Sequence, residues 1–297
     1  MKLVLLYSPD GFDLDVLENQ RDLYGILGCK VIWTDKIFPC DLIVILRANE
    51  MTPLKFPEQT PLLFIDYSGQ NVLDVFKEVN HNNKRCITSR KEKNIIEDIS
   101  FGHPFVSLER YSLQLKPLKY EFIHIGNYKK RKQIKLLNQD FIEFINGVSA
   151  FVWGKNWPKS SFTKSKYMGP MKPKDVSKTY SQSKYSLGIK HDFQIGTAIS
   201  GRYWQSTLNG CSLFVEDEYL AKEIPGIYLY GSKINDSRKD IQNKARDYWK
   251  NQNNLQLNIS RELLAKSNSS LNLIRYCFYK IKGWAYRAYR NLTYGIK

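Results

Sequence analysis

The stretch Ser200–Glu218 reads SGRYWQSTLNGCSLFVEDE. It holds a short helix followed by a buried strand, and that order decides the fold. Arg202 and Gln205 stand three residues apart, so they share one helix face. Gly210 falls where a helix end takes a left-handed residue. The run from Cys211 to Val215 is largely apolar, as in a parallel strand covered on both faces. The loop HDFQIGTAISG (His191–Gly201) brings Thr197, Ser200 and Gly201 to the helix start. Free N–H groups and small donors there suit a phosphate. Arg202 in the first turn can fork onto a diphosphate. Gln205 can reach a ribose hydroxyl, or Arg202 is a surface charge while Tyr203 and Trp204 are core.

The alternation continues outward. Upstream, YEFIHIGN (Tyr120–Asn127) reads as a strand, QIKLLNQDFIEFIN (Gln133–Asn146) as a helix and VSAFVWGKNW (Val148–Trp157) as a strand ending in Gly154. KPKDVSKTYSQSK (Lys172–Lys184) reads as a helix and YSLGIK (Tyr185–Lys190) as a strand. Downstream, SRKDIQNKARDYWKNQ (Ser237–Gln252) is a late helix. The first part of the chain has its own set. KLVLLYS (Lys2–Ser8), KVIWTD (Lys30–Asp35), CDLIVILRA (Cys40–Ala48) and PLLFIDYS (Pro61–Ser68) read as strands, with a helix in DLDVLENQRDLYGILGC capped by Asp13. Apolar strands separated by helices indicate parallel sheets with covered faces. The pattern pauses at SLQLKPLKY (Ser112–Tyr120), so two doubly wound halves are expected, with a cleft between them.

At 297 residues the chain suits two domains, and its 42% hydrophobic content excludes a disordered composition. The net charge of +16 favours anionic partners: nucleotide phosphates, nucleic acid or a membrane surface. Five cysteines, Cys29, Cys40, Cys86, Cys211 and Cys277, are scattered without a C-x-x-C pair, against a disulfide framework or a zinc site. A reducing cytoplasm is expected, with no signal peptide and no membrane-spanning run. After Glu262 the chain has seven Lys/Arg and no acid, with Leu273, Ile274, Phe278, Ile281 and Trp284 at helical spacing. This is a basic amphipathic helix. It either crosses back onto the first domain or lies on an anionic membrane surface through residues 271–294.

Three motifs carry a family resemblance. Ser200, Arg202, Trp204, Gln205 and Gly210 resemble the S-x-R-x-F-E-A-x-A-x-G signature of the bacterial spore-coat and capsule glycosyltransferase-like family. VWGKNW (Val152–Trp157) and YMGPMKPKDVSKTYSQSKYSLGI (Tyr167–Ile189) resemble two further stretches of it. The segment is also similar to phage DNA β-glucosyltransferases, whose corresponding helix reads R-x-W-E. IGNYKKRK (Ile125–Lys132) resembles their basic element, with Gly126 for close approach and Lys129 and Arg131 on phosphate. The resemblance implies an α/β protein of GT-B architecture: two Rossmann-like doubly wound domains facing a cleft, plus a C-terminal basic amphipathic helix. Residues 1–118 would form the acceptor-side domain, 119–265 the nucleotide-sugar-binding domain and 266–297 the helix. Gly126, Lys129, Arg131, Gly154, Ser200, Gly201, Arg202 and Gln205 would bind the donor, a UDP- or GDP-sugar, with no cofactor or metal required. Both families carry Glu where this chain has Gln205, and the Glu pair of retaining GT-B enzymes is absent, its earlier position being Thr197.

A base must then come from a strand end. Asp10 or Asp13, Asp35 and Asp66 qualify, and Asp66 in LLFIDYSG resembles the Asp that follows the same strand in both families. Asp66 is taken as the catalytic base, beside its reading as a loop or capping residue. The D-x-D at Asp13–Asp15 lies at a helix start and is set aside, as is metal chelation by Glu216–Glu218. His81, His103, His124 and His191 are read as structural, with His103 and His191 also able to line the cleft. The expected function is sugar transfer to a hydroxyl of a surface polysaccharide or lipid-linked saccharide, in the cytoplasm or at the inner membrane face. The alternatives are glycosylation of hydroxymethylated bases in duplex DNA and a catalytically inactive nucleotide-sugar-binding module.

Overall fold

The structure, a computed structural model, describes residues 1–9, 14–48, 52–53, 55–67, 72–89, 98–127, 142–188 and 199–267. The chain divides into two units: Met1–Phe105 together with the segment from Asn253, and Val106–Gln252. Asp10, Asp13, Lys129, Arg131, His191, Thr197 and the 271–294 segment lie outside the described residues.

The first unit contains β1 (Leu3–Tyr7), α1 (Leu14–Ile26), β2 (Lys30–Thr34), β3 (Leu42–Ile45), β4 (Leu62–Asp66), α2 (Val72–Glu78), β5 (Lys84–Thr88) and β6 (Ile99–Phe101). Its sheet runs β2-β1-β3-β4-β5-β6, parallel throughout. Every residue of β1, β3 and β4 is buried, as their unbroken apolar runs require. Leu3, Leu5, Ile43, Ile45, Leu62 and Phe64 share a core with Val72 and Phe76 of α2. Edge strand β2 is only partly covered, and Trp33 is exposed.

The buried side of α1 sets Val16, Leu17 and Leu23 beside polar residues. Leu14 is exposed, while Asn19, Gln20 and Tyr24 are buried. The polar pair has a reason: Gln20 exchanges side-chain hydrogen bonds with Gln256, and Tyr24 bonds Ser260 at 3.0 Å. Both partners belong to the closing helix, Arg238–Ala265, whose residues from Asn253 onward are part of this unit. At its end Ser267 donates to Asp41, which accepts the Leu3 amide at 2.7 Å.

The second unit contains β7 (Tyr120–Ile125), helical turns over 142–147, β8 (Phe151–Trp153), β9 (Lys166–Gly169), α3 (Pro173–Ser181), β10 (Ser183–Leu187), α4 (Gly201–Thr207), β11 (Ser212–Val215), α5 (Glu218–Glu223) and β12 (Ile227–Leu229), and it takes in the start of α6 (Arg238–Ala265). Its parallel sheet runs β12-β11-β10-β7-β8-β9. The winding goes outward from β7 to β9, then restarts on the other side with β10. The reversal lies between β7 and β10, where an open α/β sheet binds ligands at its carboxyl edge.

Helix α4 ends as its sequence demands. Gly210 adopts φ +69°, its amide donates to Thr207 O, and Cys211 N donates to Ser206 O at 3.0 Å. These two bonds form a Schellman cap. A Cβ on Gly210 would also lie 2.7 Å from Arg238 O. Tyr203 and Trp204 point into the core, where Trp204 packs edge-on against Trp249 at 5.7 Å. Arg202 and Gln205 are left half-buried on the other side.

Candidate functional site at the carboxyl edge of the second sheet

β7 and β8 run side by side and each ends in glycine. Gly154 follows β8 with φ +148°, and a Cβ there would fall 1.8 Å from Gly126 O. No side chain fits, so the two strand ends meet backbone to backbone. The Trp157 indole N–H donates to Gly126 O at 2.7 Å, and the Tyr167 hydroxyl donates to Gly154 O at 2.8 Å. Asn127 Oδ1 accepts the Lys155 amide at 2.8 Å. The Gly-x-x-Trp spacing thus clamps the turn after β7.

Gly126 is small for another reason. A Cβ on it would lie 2.9 Å from His124 Nε2 and 3.6 Å from Arg202 Nη1. The guanidinium from the first turn of α4 therefore stands against the backbone at the end of β7. Arg202 is no solvated surface charge.

His124 lies beneath this pair, fully buried within β7. Its Nδ1–H donates to Leu187 O at 2.7 Å, across the reversal between β7 and β10. A carbonyl can only accept, so the proton sits on Nδ1 and Nε2 carries the lone pair. Burial first and the Arg202 charge second push the imidazole pKa down to about 3, against the bond to Leu187, which raises it. The ring is neutral at physiological pH and adds no second cation beside Arg202. Tyr230 closes the other side, its hydroxyl donating to Gly188 O. Burial raises the Tyr203 and Tyr230 phenols well above their usual range; nearby Glu216 reinforces this and Arg202 opposes it.

At the start of α4, Ser200 takes the N-cap position in extended conformation, but its side chain caps nothing. Its Oγ is shielded from solvent and has no hydrogen-bond partner among the described residues. In the acidic run after β11, Asp217 caps α5 by accepting Leu220 N at 3.1 Å, Glu218 pairs with Lys222, and Glu216 is exposed.

Gly126, Gly154, Ser200, Gly201, Arg202 and Gln205 all belong to the second unit. Asp66 belongs to the first, at the carboxyl end of β4. It is 1% exposed and accepts the Thr88 hydroxyl at 2.8 Å, while its backbone carbonyl accepts Ser89 N at 3.1 Å. Asp35 is exposed. His103 is buried in the first unit, its pKa pushed down to about 4 by desolvation. His81 accepts the Asn83 amide on Nδ1 and faces Pro57 O with Nε2. The neighbourhood of Arg202 adds His124, which its sequence context, a polar residue inside an apolar strand just before a glycine, marks as unusual.

Residues 131–269 match the family model described as Glycosyl transferase-like. No curated protein matches the sequence. Among solved structures, AviGT4, a glycosyltransferase involved in avilamycin A biosynthesis, is similar at 12% identity and a TM-score of 0.63, over 90% of this chain and 99% of its own. T4 phage BGT in complex with its UDP-glucose substrate shares 11% identity, with a TM-score of 0.46 over 90% of this chain and 96% of its own. Anabaena HepE in complex with UDP and glucose shares 9%, with a TM-score of 0.45 over 98% and 100%. The chain has the fold of the GT-B glycosyltransferases, and its Gly154, Trp157 and Arg202 stand within a segment that matches the glycosyl transferase-like family.

Proposed function

We propose that the chain transfers a sugar from a nucleotide-sugar donor to a hydroxyl acceptor. The observation that carries this reading is the Arg202 guanidinium set against Gly126, at the winding reversal of the second sheet. A guanidinium can meet a diphosphate with two parallel N–H···O bonds. Gly126 lets the phosphate oxygens approach the backbone, and neutral His124 adds no charge of its own beside Arg202. Lys129 and Arg131 are further phosphate contacts, Ser200 and Gly201 supply small donors, and Gln205 takes a ribose hydroxyl. The donor nucleoside is uridine or guanosine.

In the transfer, the acceptor oxygen attacks the anomeric carbon as the bond to the diphosphate breaks. The nucleoside diphosphate leaves with the electron pair, and the acceptor proton passes to the Asp66 carboxylate. Negative charge grows on the leaving group, so the hold of Arg202 tightens toward the transition state. The acceptor is a surface glycan or lipid-linked saccharide.

A thermal-shift panel of UDP-, GDP-, CMP- and dTDP-sugars on the wild type and Arg202→Ala tests the donor site. A ligand that binds only the folded state raises the unfolding midpoint. One nucleotide class should raise it, and Arg202→Ala should lose that response. No response to any donor, or an equal response in the variant, overturns the reading.

A further inference from the structure

We infer that the first unit holds an oxyanion site at Arg47, and that the acceptor carries a phosphate or carboxylate close to the hydroxyl that is glycosylated; the acceptor part of this statement rests on the transferase reading. The first sheet has its own winding reversal. β1 leads outward to β2, and the chain returns on the other side of β1 with β3, then β4, β5 and β6. The carboxyl edge between β1 and β3 is where such a sheet takes a ligand. Arg47 stands there, two residues beyond the end of β3.

Its side chain is in an unusual state. Arg47 is half-buried, and its Nε–H is shielded from solvent with no hydrogen-bond partner among the described residues. Buried donors in native proteins are satisfied with few exceptions, and each exception calls for a physical reason. A guanidinium Nε–H paired with an Nη–H is the fork that matches the two oxygens of a phosphate or carboxylate.

The register connects this fork to the proposed base. Ile45 pairs with Phe64, and Asp66 pairs with Thr88. The pairing ends with Ile45; carried two residues on, the same register would bring the Arg47 backbone level with Asp66, one strand spacing of about 5 Å away. The Thr88 hydroxyl is already committed to Asp66 Oδ2. An anionic group on Arg47 would thus hold the adjoining hydroxyl beside the carboxylate, and sugar phosphates, uronic acids and lipid-linked saccharides share this chemistry.

The test reads the Arg47 Nε–Hε resonance in the full chain, identified by its loss in Arg47→Lys. An Arg202→Ala background removes the response of the donor site. Inorganic phosphate and acetate are titrated in separate arms, with chloride at matched ionic strength as the reference. A saturable shift with phosphate or acetate, absent with chloride, is expected, and the arm that saturates at lower concentration names the group. No shift, or one that only tracks ionic strength, overturns the inference. A saturable Arg47 response, together with a wild-type chain that answers no nucleotide sugar in the thermal panel, would instead sink the transferase reading and leave an oxyanion site.

Discussion

The Trp157 indole donates to the carbonyl of Gly126 at 2.7 Å, and that carbonyl occupies the place a side chain on Gly154 would need. One backbone oxygen therefore couples the ends of two strands. Gly154→Ala forces the chains apart and strains a φ of +148°. A loss of about 3 kcal/mol of stability in the second unit is expected, from steric clash added to backbone strain. Trp157→Phe removes the hydrogen bond but keeps most of the ring, at about 1 kcal/mol. Urea unfolding of both variants checks the order; equal costs would mean that the close approach does not constrain the turn.

Buried His124 makes stability depend on acidity in a definite direction. Its folded pKa of about 3 lies below the unfolded value of about 6.5. The unfolded chain therefore binds more protons between these values, and stability falls as pH drops through that window; above it there is no effect. His103, lowered to about 4, acts in the same sense. From pH 7 to pH 5 each histidine removes about 2 kcal/mol. His124→Asn keeps a donor toward Leu187 O and cannot titrate, so its urea midpoint should fall less than the wild type's over that range. A parallel fall would show that His124 protonates in the folded state.

Gln205 lies on the helix face of Arg202, one turn further along α4. A carboxylate accepts from two ribose hydroxyls, whereas the amide has one acceptor oxygen. Gln205→Glu should tighten nucleotide-sugar binding by about tenfold, the effect of one charge-assisted hydrogen bond. Titration calorimetry with the donor that answers in the thermal panel measures this. Weaker binding would place the ribose elsewhere.

Asp66→Asn should lower the rate of sugar transfer by about 10²–10⁴-fold, the usual worth of a general base. Donor affinity should not change, because Asp66 is assigned to the acceptor step alone. Single-turnover transfer and donor titration on one preparation separate the two quantities. A variant that transfers normally would return Asp66 to a purely structural role as the partner of Thr88.

Gln256 on α6 receives the Phe105 amide at 2.7 Å and exchanges bonds with Gln20, all within the first unit. Gln256→Leu leaves buried donors without acceptors, at a cost of about 2–3 kcal/mol. Truncation after Gln252 removes the whole segment and should unfold residues 1–105. Proteolysis of the truncated chain would show whether that sheet survives alone.

Much of this architecture is legible in the residues. Runs such as LVLLY, LIVI and LLFID are apolar without interruption, and only a strand covered on both faces sustains that. The small residues around Arg202 announce close approach. Other elements give little signal. β5 opens with Lys84 and Arg85, and β6 and β12 are three residues long, too short for periodicity to register. The buried face of α1 is hidden in its residues, because Gln20 and Tyr24 are buried by hydrogen bonds to residues more than two hundred positions away. Helical spacing identifies a buried face but never its partner. The role of Trp157 gives no local signal for the same reason, since it depends on a carbonyl thirty-one residues back.

The return of α6 to the first unit sets an order of events on the ribosome. Residues 106–252 are contiguous and can complete their sheet once they have emerged. The N-terminal sheet cannot: Gln20, Tyr24 and the Phe105 amide wait for Gln256 and Ser260. Those residues are translated about 150 positions after Phe105, a delay of roughly 10–30 s at ordinary elongation rates. The first part made is thus the last to be finished, and during that interval the nascent chain is most exposed to chaperones, proteases and its own misfolding.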